Sequence, residues 1–363
     1  MFQSDRHRDT GLLSTAYNIY STQAGITNAT PVRILYIGSS SPLSWKPLMA
    51  LLRLSQRTSA PDKFHICAIA CKATHQSSTL VNIPVVDIRA DSLASLAYTH
   101  NIPLVHIPEN FVGMDEVFQA YQPDVIIVSC FAHKIPDSIR SIAPLGCFNI
   151  HPSLLPRYRG ADPLFWQFKA GECVFGTTLH RMSAEMDSGD IISQKALAMP
   201  DGSCIHEATH LLAHGAGELL LQFMRDLSNG ISVETAQNHQ QATYQGSPAT
   251  DDYIIDHTWS ARRIYNFICA YEQPGRYFKC IINDRTFLLR KALCWQLLPW
   301  PDSAGLSFNS LPFEISSDPA PINLNSHSRR SLPHKQDVNS DSEITIACAT
   351  GYIRCMLQAP QRA

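Results

Sequence analysis

Asn149 and His151 stand two residues apart in the run FNIHP. In an extended strand that spacing puts both side chains on one face. An amide donor beside an imidazole suits acyl transfer, because the amide can meet a developing oxyanion while the imidazole moves a proton. Such an imidazole works best beside a carboxylate that orients it and favours its charged form. Asp187, in the glycine-bounded run MDSG, is the candidate. Taken singly, each residue also has a structural explanation. A histidine before proline commonly holds backbone, and Asp-Ser-Gly is a common turn. Spacing alone leaves both explanations open.

The elements needed to position these residues are legible. VRILYIG, from Val32, is a continuous apolar strand, followed by a turn at Gly38–Ser41 and a helical stretch from Trp45 to Arg53. FHICAIAC is a second strand, and IPVVDI is a short strand or a loop. DSLASLAYTHN is a helix leading into the strand IPLVHI. A helix over Met114–Tyr121 and the strand PDVIIVSC follow. Alternating β and α segments with continuously apolar strands predict an α/β fold: a mostly parallel, Rossmann-like sheet with helices on both faces. Ligands bind beyond the C-terminal ends of such strands, and Phe131–Pro136 follows one such end. Two further strands, Gly176–Met182 and Asp190–Leu197, flank the loop that carries Asp187. A helix over Ile205–Leu227 closes this domain, expected to span 31–230. A second domain, 242–363, has a helix in SARRIYNFICAY, strands in RYFKCIIN and TFLLRKALCW, and a strand–turn–strand in EITIACATGYIRCMLQ. It contains a Pro-, Ser- and Asn-rich stretch at about 299–340, expected to be a disordered insertion. Residues 1–30 read as a disordered extension. Arg6 and Arg8 among Ser and Thr suggest a presequence, and Asp5 and Asp9 oppose it.

Composition narrows the function classes. The chain has 363 residues, 45% hydrophobic and 17% charged, with a net charge of −2. It contains no apolar run of membrane-spanning length and no secretory signal, and a cytoplasmic location is expected. Eleven cysteines without any CxxC read as buried thiols in a reducing compartment rather than as a disulfide scaffold. GSSS after the first strand has neither the GxGxxG spacing of a dinucleotide site nor the GKS/GKT of a phosphate loop. His206, His210 and His214 recur at HxxxH spacing, but no HExxH pattern accompanies them, and no metal is expected.

NIHPSLLPRYRGADP and MDSGDII, in that order, resemble the signature of the formyltransferases that use 10-formyltetrahydrofolate. The resemblance runs from Val32 to Met199. A weaker similarity to the C-terminal domain of methionyl-tRNA formyltransferases runs over Ala242–Trp295 and Glu343–Gln358. It implies that the second domain is a small β-barrel-like (OB-like) unit. It also implies that Asn149 holds the formyl oxygen, that His151 protonates it or takes the proton of the amine, and that Asp187 biases the histidine. Phe131, Ala132, His133, Lys134 and Ile135 would bind the folate ring, largely through backbone groups. The turn Ser153, Leu154, Leu155 and Pro156 would fix the strand end and, with Met186 and Ser188, complete the folate site.

The acceptor implied by the resemblance is a primary amine, on a small molecule such as an amino sugar or on methionyl-tRNA. A tRNA binder should carry a basic surface. Here Lys+Arg against Asp+Glu is 16 to 15 in residues 1–200 and 13 to 16 beyond, and CKATHQSSTLVNIP holds only Lys72. The balance favours a small amine. Arg262, Arg263, Arg276, Lys279, Arg290 and Lys291 form the one candidate patch for tRNA. A non-catalytic folate-binding relative is a further alternative, opposed by the intact Asn149, His151 and Asp187.

Overall fold

A computed structural model describes residues 31–55, 64–72, 92–297 and 343–358, together with the backbone of two two-residue strands, 18–19 and 315–316. The large sheet is built from Val32–Gly38 (β2), Phe64–Lys72 (β3), Leu104–Ile107 (β4), Val125–Ser129 (β5), Gly146–His151 (β6), Val174–Arg181 (β8) and Ile191–Ala198 (β9). Its order is β4-β3-β2-β5-β6-β8-β9. The first five strands are parallel, and β8 and β9 are antiparallel additions at one edge.

Strand alternation explains the two faces. Val32, Ile34 and Tyr36 of β2 enter one core with Trp45, Leu48, Phe148 and Phe223. Leu35 and Ile37 enter another with Met114, Phe118, Ile126 and Ile139. Helices Pro42–Ser55 (α1) and Ile205–Ser228 (α6) cover the first face, with Leu93–Thr99 (α2) beside them. Met114–Ala120 (α3) and Asp137–Arg140 (α4) cover the second.

The chain runs outward from β2 to β4, then returns to β5 on the other side of β2. The β2/β5 boundary is therefore the topological switch point where open α/β sheets place ligands. Buried hydroxyls tie this point together. Ser129 Oγ donates to Leu43 O at 2.6 Å, Ser44 Oγ to Ser129 O at 2.5 Å, and Tyr36 Oη to Ser44 O at 2.7 Å. Ser44 Oγ also accepts the Ser39 N–H at 2.9 Å, and Ser41 Oγ accepts the Leu43 N–H at 3.3 Å.

A second sheet has the order β12-β13-β14-β17-β16-β15, from Ile254–Ile255 (β12), Phe278–Ile282 (β13), Arg285–Gln296 (β14), Ile315–Ser316 (β15), Glu343–Cys348 (β16) and Gly351–Leu357 (β17). β12 and β15 are its two ends, so among the described residues it is a sheet rather than a closed barrel. The expected extension at 1–30, the run IPVVDI and the expected insertion at 299–340 lie outside the described residues, apart from two paired strands. Asn18–Ile19 (β1) pairs with Val233–Glu234 (β10), and β15 pairs with β16. Arg159–Gly160 (β7) pairs with Tyr244–Gln245 (β11), which joins the loop after β6 to the segment that leads into the second sheet.

Pro163–Ala170 (α5) and Ala261–Tyr271 (α7) pack against each other in one core cluster that includes residues of both sheets. Phe165 touches the rings of Trp166, Tyr253, Phe267 and Tyr271, with centroids 5.1–5.4 Å apart. Around this aromatic centre, Lys169 Nζ meets Asp252 Oδ1 at 2.6 Å and Arg262 Nε meets Asp201 Oδ1 at 2.7 Å. Phe165 is 1% exposed. Its replacement by Ala should therefore cost about 3–5 kcal/mol through lost burial and a residual cavity. Thermal unfolding should show a clear fall in Tm, whereas Tyr98→Ala, at a 65% exposed position, should leave it nearly unchanged.

Candidate active site

β6 presents Asn149 and His151 on one face, as the spacing predicts, and antiparallel β8 sets His180 directly opposite Asn149. The hairpin between β8 and β9 then folds Asp187 back over all three. Asp187 has φ 53°, a left-handed conformation that aspartate tolerates better than most residues. Gly189 makes the tight return possible: a Cβ there would lie 2.0 Å from Arg181 O.

The proton positions follow from the fixed acceptors. His151 Nε2 lies 2.7 Å from the Tyr158 carbonyl, which only accepts, so Nε2 carries the proton and Nδ1 is the basic nitrogen. That Nδ1 faces Asp187 Oδ2 at 3.6 Å. His180 Nδ1 donates to Arg181 O at 2.9 Å, so its Nε2 accepts from Asn149 Nδ2 at 3.2 Å. The second hydrogen of the Asn149 amide goes to Asp187 Oδ1 at 3.3 Å. Both amide contacts are long, so a better acceptor can displace either. The Gly160 N–H donates to Asp187 Oδ2 at 2.9 Å.

Burial by itself would raise the Asp187 carboxyl, but His151, His180 and the Gly160 amide overcome it and hold the group well below the ordinary carboxylate range. Burial pushes His151 below the ordinary histidine range, against the opposing pull of Asp187 and the Tyr158 carbonyl. At neutral pH the site is thus an anionic carboxylate next to a neutral imidazole with an available Nδ1. Such a base becomes an imidazolium stabilised by the carboxylate when it takes a proton.

These groups line a cavity of about 630 Å³. Phe131, Ala132, His133, Lys134 and Ile135 line it, as does Met186. Ser153, Leu154, Leu155, Pro156 and Ser188 do not. Instead, Ser153 and Leu155 brace the strand end: Thr178 Oγ1 donates to Ser153 O at 2.6 Å and accepts the Leu155 N–H at 3.1 Å. Lys72 Nζ, 2.7 Å from His133 Nε2, braces the loop from the end of β3. The backbone amides of Ala132, His133 and Lys134 donate to no acceptor among the described residues. Backbone donors of this kind suit a planar ring that carries its own acceptors.

His180 and Gly160 escaped sequence reasoning. Alternation along TTLHR, opposite FNIH, carries the signal for His180, but it needs the β6/β8 register to be read. All eleven cysteines are free, and burial pushes Cys147, Cys280 and Cys348 up to about 12, so these thiols stay protonated. Among the described residues there is no group of three or more His, Cys, Asp or Glu that could hold a metal ion, and no helix is long and apolar enough to cross a membrane.

Residues 69–222 match the family described as formyl transferase. The chain is 33% identical over 184 residues to the methionyl-tRNA formyltransferase of Thermotoga maritima, a match covering 50% of this chain and 58% of that protein. It thus spans little more than half the length of this curated relative. Among solved structures it is similar to WlaRD, a sugar 3N-formyl transferase, with a TM-score of 0.54 at 15% identity, covering 92% of this chain and 100% of that one. It is also similar to an N-formyltransferase from Helicobacter canadensis, with a TM-score of 0.54 at 14% identity, covering 89% and 98%. At these identities the structural likenesses establish the fold.

The lowered proton affinity of His151 has a measurable effect on stability. Between its lowered folded value and the ordinary value near 6.5, the unfolded chain binds a proton that the folded chain does not. Stability attributable to this group is therefore lost as pH falls below about 6.5, by up to about 1.4 kcal/mol per pH unit. Denaturant unfolding from pH 7 downward should show a shallower loss in His151→Gln than in the native chain. An identical slope would show that the buried imidazole is not neutral.

Proposed function

We propose that this chain, which carries a formyl transferase domain over residues 69–222, moves a formyl group from 10-formyltetrahydrofolate to a primary amine. The observation that carries the proposal is the convergence of Asn149, His151 and Asp187 on a cavity that the loop Phe131–Ile135 also lines. Both halves of a transfer site, the donor cradle and the reacting groups, open into one space.

The residues divide the work. Asn149 turns one amide hydrogen from its long contact with His180 or Asp187 toward the formyl oxygen, where negative charge develops. His151 Nδ1 takes the proton of the attacking amine, and the Asp187 carboxylate stabilises the imidazolium that results. As the bond between the formyl carbon and the donor nitrogen breaks, the same proton passes from His151 to that nitrogen. Asp187 stays ionised throughout.

The acceptor we favour is a small-molecule amine such as an amino sugar. Three of the six residues of the basic patch that would serve tRNA are engaged within the chain as follows. Arg262 pairs with Asp201, Arg263 Nε donates to Lys169 O while its guanidinium lies 3.7 Å from the Trp259 ring centroid, and Lys291 pairs with Glu272. Of the six patch residues, only Arg276 lines the cavity. Methionyl-tRNA is the second reading, favoured by the 33% identity to an enzyme named for that substrate.

The deciding experiment supplies 10-formyltetrahydrofolate with amino sugars, nucleotide-linked amino sugars or methionyl-tRNA and follows release of tetrahydrofolate. Turnover of a small amine should depend weakly on salt, and His151→Ala should slow it by roughly two to four orders of magnitude while the protein stays folded. Efficient turnover of methionyl-tRNA alone would establish the second reading, with affinity falling by ~10³ between about 50 and 200 mM salt for six or more phosphate contacts. Folate binding without turnover of any amine would indicate a non-catalytic relative.

A further inference from the structure

We infer that residues 237–245, which lie beyond the matched span 69–222, are a positioning part of the active site: Gln237 fixes the main chain of Asp187, and Thr243 and Gln245 fix the backbone groups that hold His151 and Asp187. The inference rests on the catalytic reading given above.

Gln237 is 5% exposed, and every hydrogen-bonding group of its amide is used. Its Nε2 donates to Asp187 O at 2.8 Å and to Gly189 O at 2.7 Å. Its Oε1 accepts from Arg159 Nη2 at 2.6 Å and Nε at 3.2 Å. Two carbonyls of the hairpin that carries Asp187 are thereby tied to a guanidinium one residue before Gly160, the amide that holds Asp187 Oδ2. Arg159 is itself buried and has no carboxylate within ion-pair distance among the described residues, so its charge is met by neutral acceptors, Gln237 and, at 3.2 Å, His239 Nδ1. Only a side chain with one acceptor and two donors satisfies both sides of this junction. A carboxylate would face two carbonyl oxygens, and an apolar side chain would leave a buried guanidinium and two carbonyls short of partners.

The other contacts act on the loop 156–161. Thr243 Oγ1 accepts the Tyr158 N–H at 2.7 Å, Thr243 O accepts the Arg159 N–H at 2.9 Å, and Gln245 O accepts the Ala161 N–H at 3.0 Å. This stretch supplies the Tyr158 carbonyl that sets the tautomer of His151 and the Gly160 N–H that anchors Asp187. The pairing is so close that a Cβ on Gly160 would lie 2.2 Å from Gln245 O, which explains glycine there. Segment 237–245 therefore holds the carboxylate from its main chain, and the imidazole and carboxylate from their backbone partners.

The test reads His151 by NMR in the full chain, labelled at histidine, without requiring turnover. The groups facing its imidazole are the Asp187 carboxylate, the His180 imidazole and the Tyr158 carbonyl. Asp187→Asn removes an anion and should lower the titration midpoint of His151. If Gln237 positions that anion, Gln237→Ala should move the midpoint in the same direction, and the double variant should move it no further than Asp187→Asn alone. With the favoured acceptor, kcat of Gln237→Ala should fall at nearly constant KM for the folate donor, roughly 100-fold for a displacement near 1 Å. Thr243→Val, which keeps the shape and removes the hydroxyl, supplies the same test should Gln237→Ala fail to fold. An unchanged His151 titration in these variants, or a full additional shift on the Asn background, would overturn the inference. Absence of formyl transfer by the native chain, with the linked titrations intact, would count against the proposed function and leave the positioning role standing.

Discussion

A buried carboxylate that must remain ionised is the constraint around which this site is arranged. Removing Asp187 from water works against its charge, and the surroundings answer with the Asn149 amide and the Gly160 N–H, joined by the His151 imidazole once it takes a proton. Each partner then needs a place of its own. His180 requires β8 to pair with β6 in one register, and Gly160 requires the loop after the SLLP turn to approach the hairpin. The two antiparallel strands at the edge of an otherwise parallel sheet serve this purpose, because only a hairpin brings a loop back over the end of the neighbouring strand.

The interdomain aromatic centre contributes in a different way. Phe165 belongs to the helix that leaves the catalytic loop, whereas Phe267, Tyr271 and Phe278 belong to the second domain. Packing them into one cluster fixes α5, and with it the wall of the cavity formed by Asp162–Phe165. It also brings Tyr253, Gln273 and Arg276 to the cavity rim. Residues flanking the second sheet thus help to line the cavity.

Much of this architecture is written in local patterns. Continuous apolar runs identify β2, β3 and β5 as doubly covered strands, and the two-residue spacing of Asn149 and His151 places them on one face. The partners that depend on pairing between distant strands are illegible. His180 sits in an unremarkable TTLHR run and becomes a site residue only through its register with Asn149. Gln237 lies in a polar stretch, ETAQNHQ, that carries no periodicity. Helix α5 escaped because its chain was read as part of a motif, although Pro163 at its start and Gly171 at its end, with φ 78°, are ordinary boundary signals. Charge read from composition likewise carries no information about partners: Arg262 pairs with Asp201, and Arg263 Nε donates to Lys169 O.

The serine hydroxyls at the head of α1 bear on which molecules this sheet can hold. In many doubly wound folds the first helix points its free amides, and the positive end of its dipole, at a phosphate group. Here Ser44 and Ser41 satisfy amides at that end, and Ser44 is locked in turn to the end of β5. The Ser39 and Leu43 amides thus have acceptors within the chain. Those two amides are therefore already engaged, and the lysine and arginine side chains that line the cavity are Lys134 and Arg276.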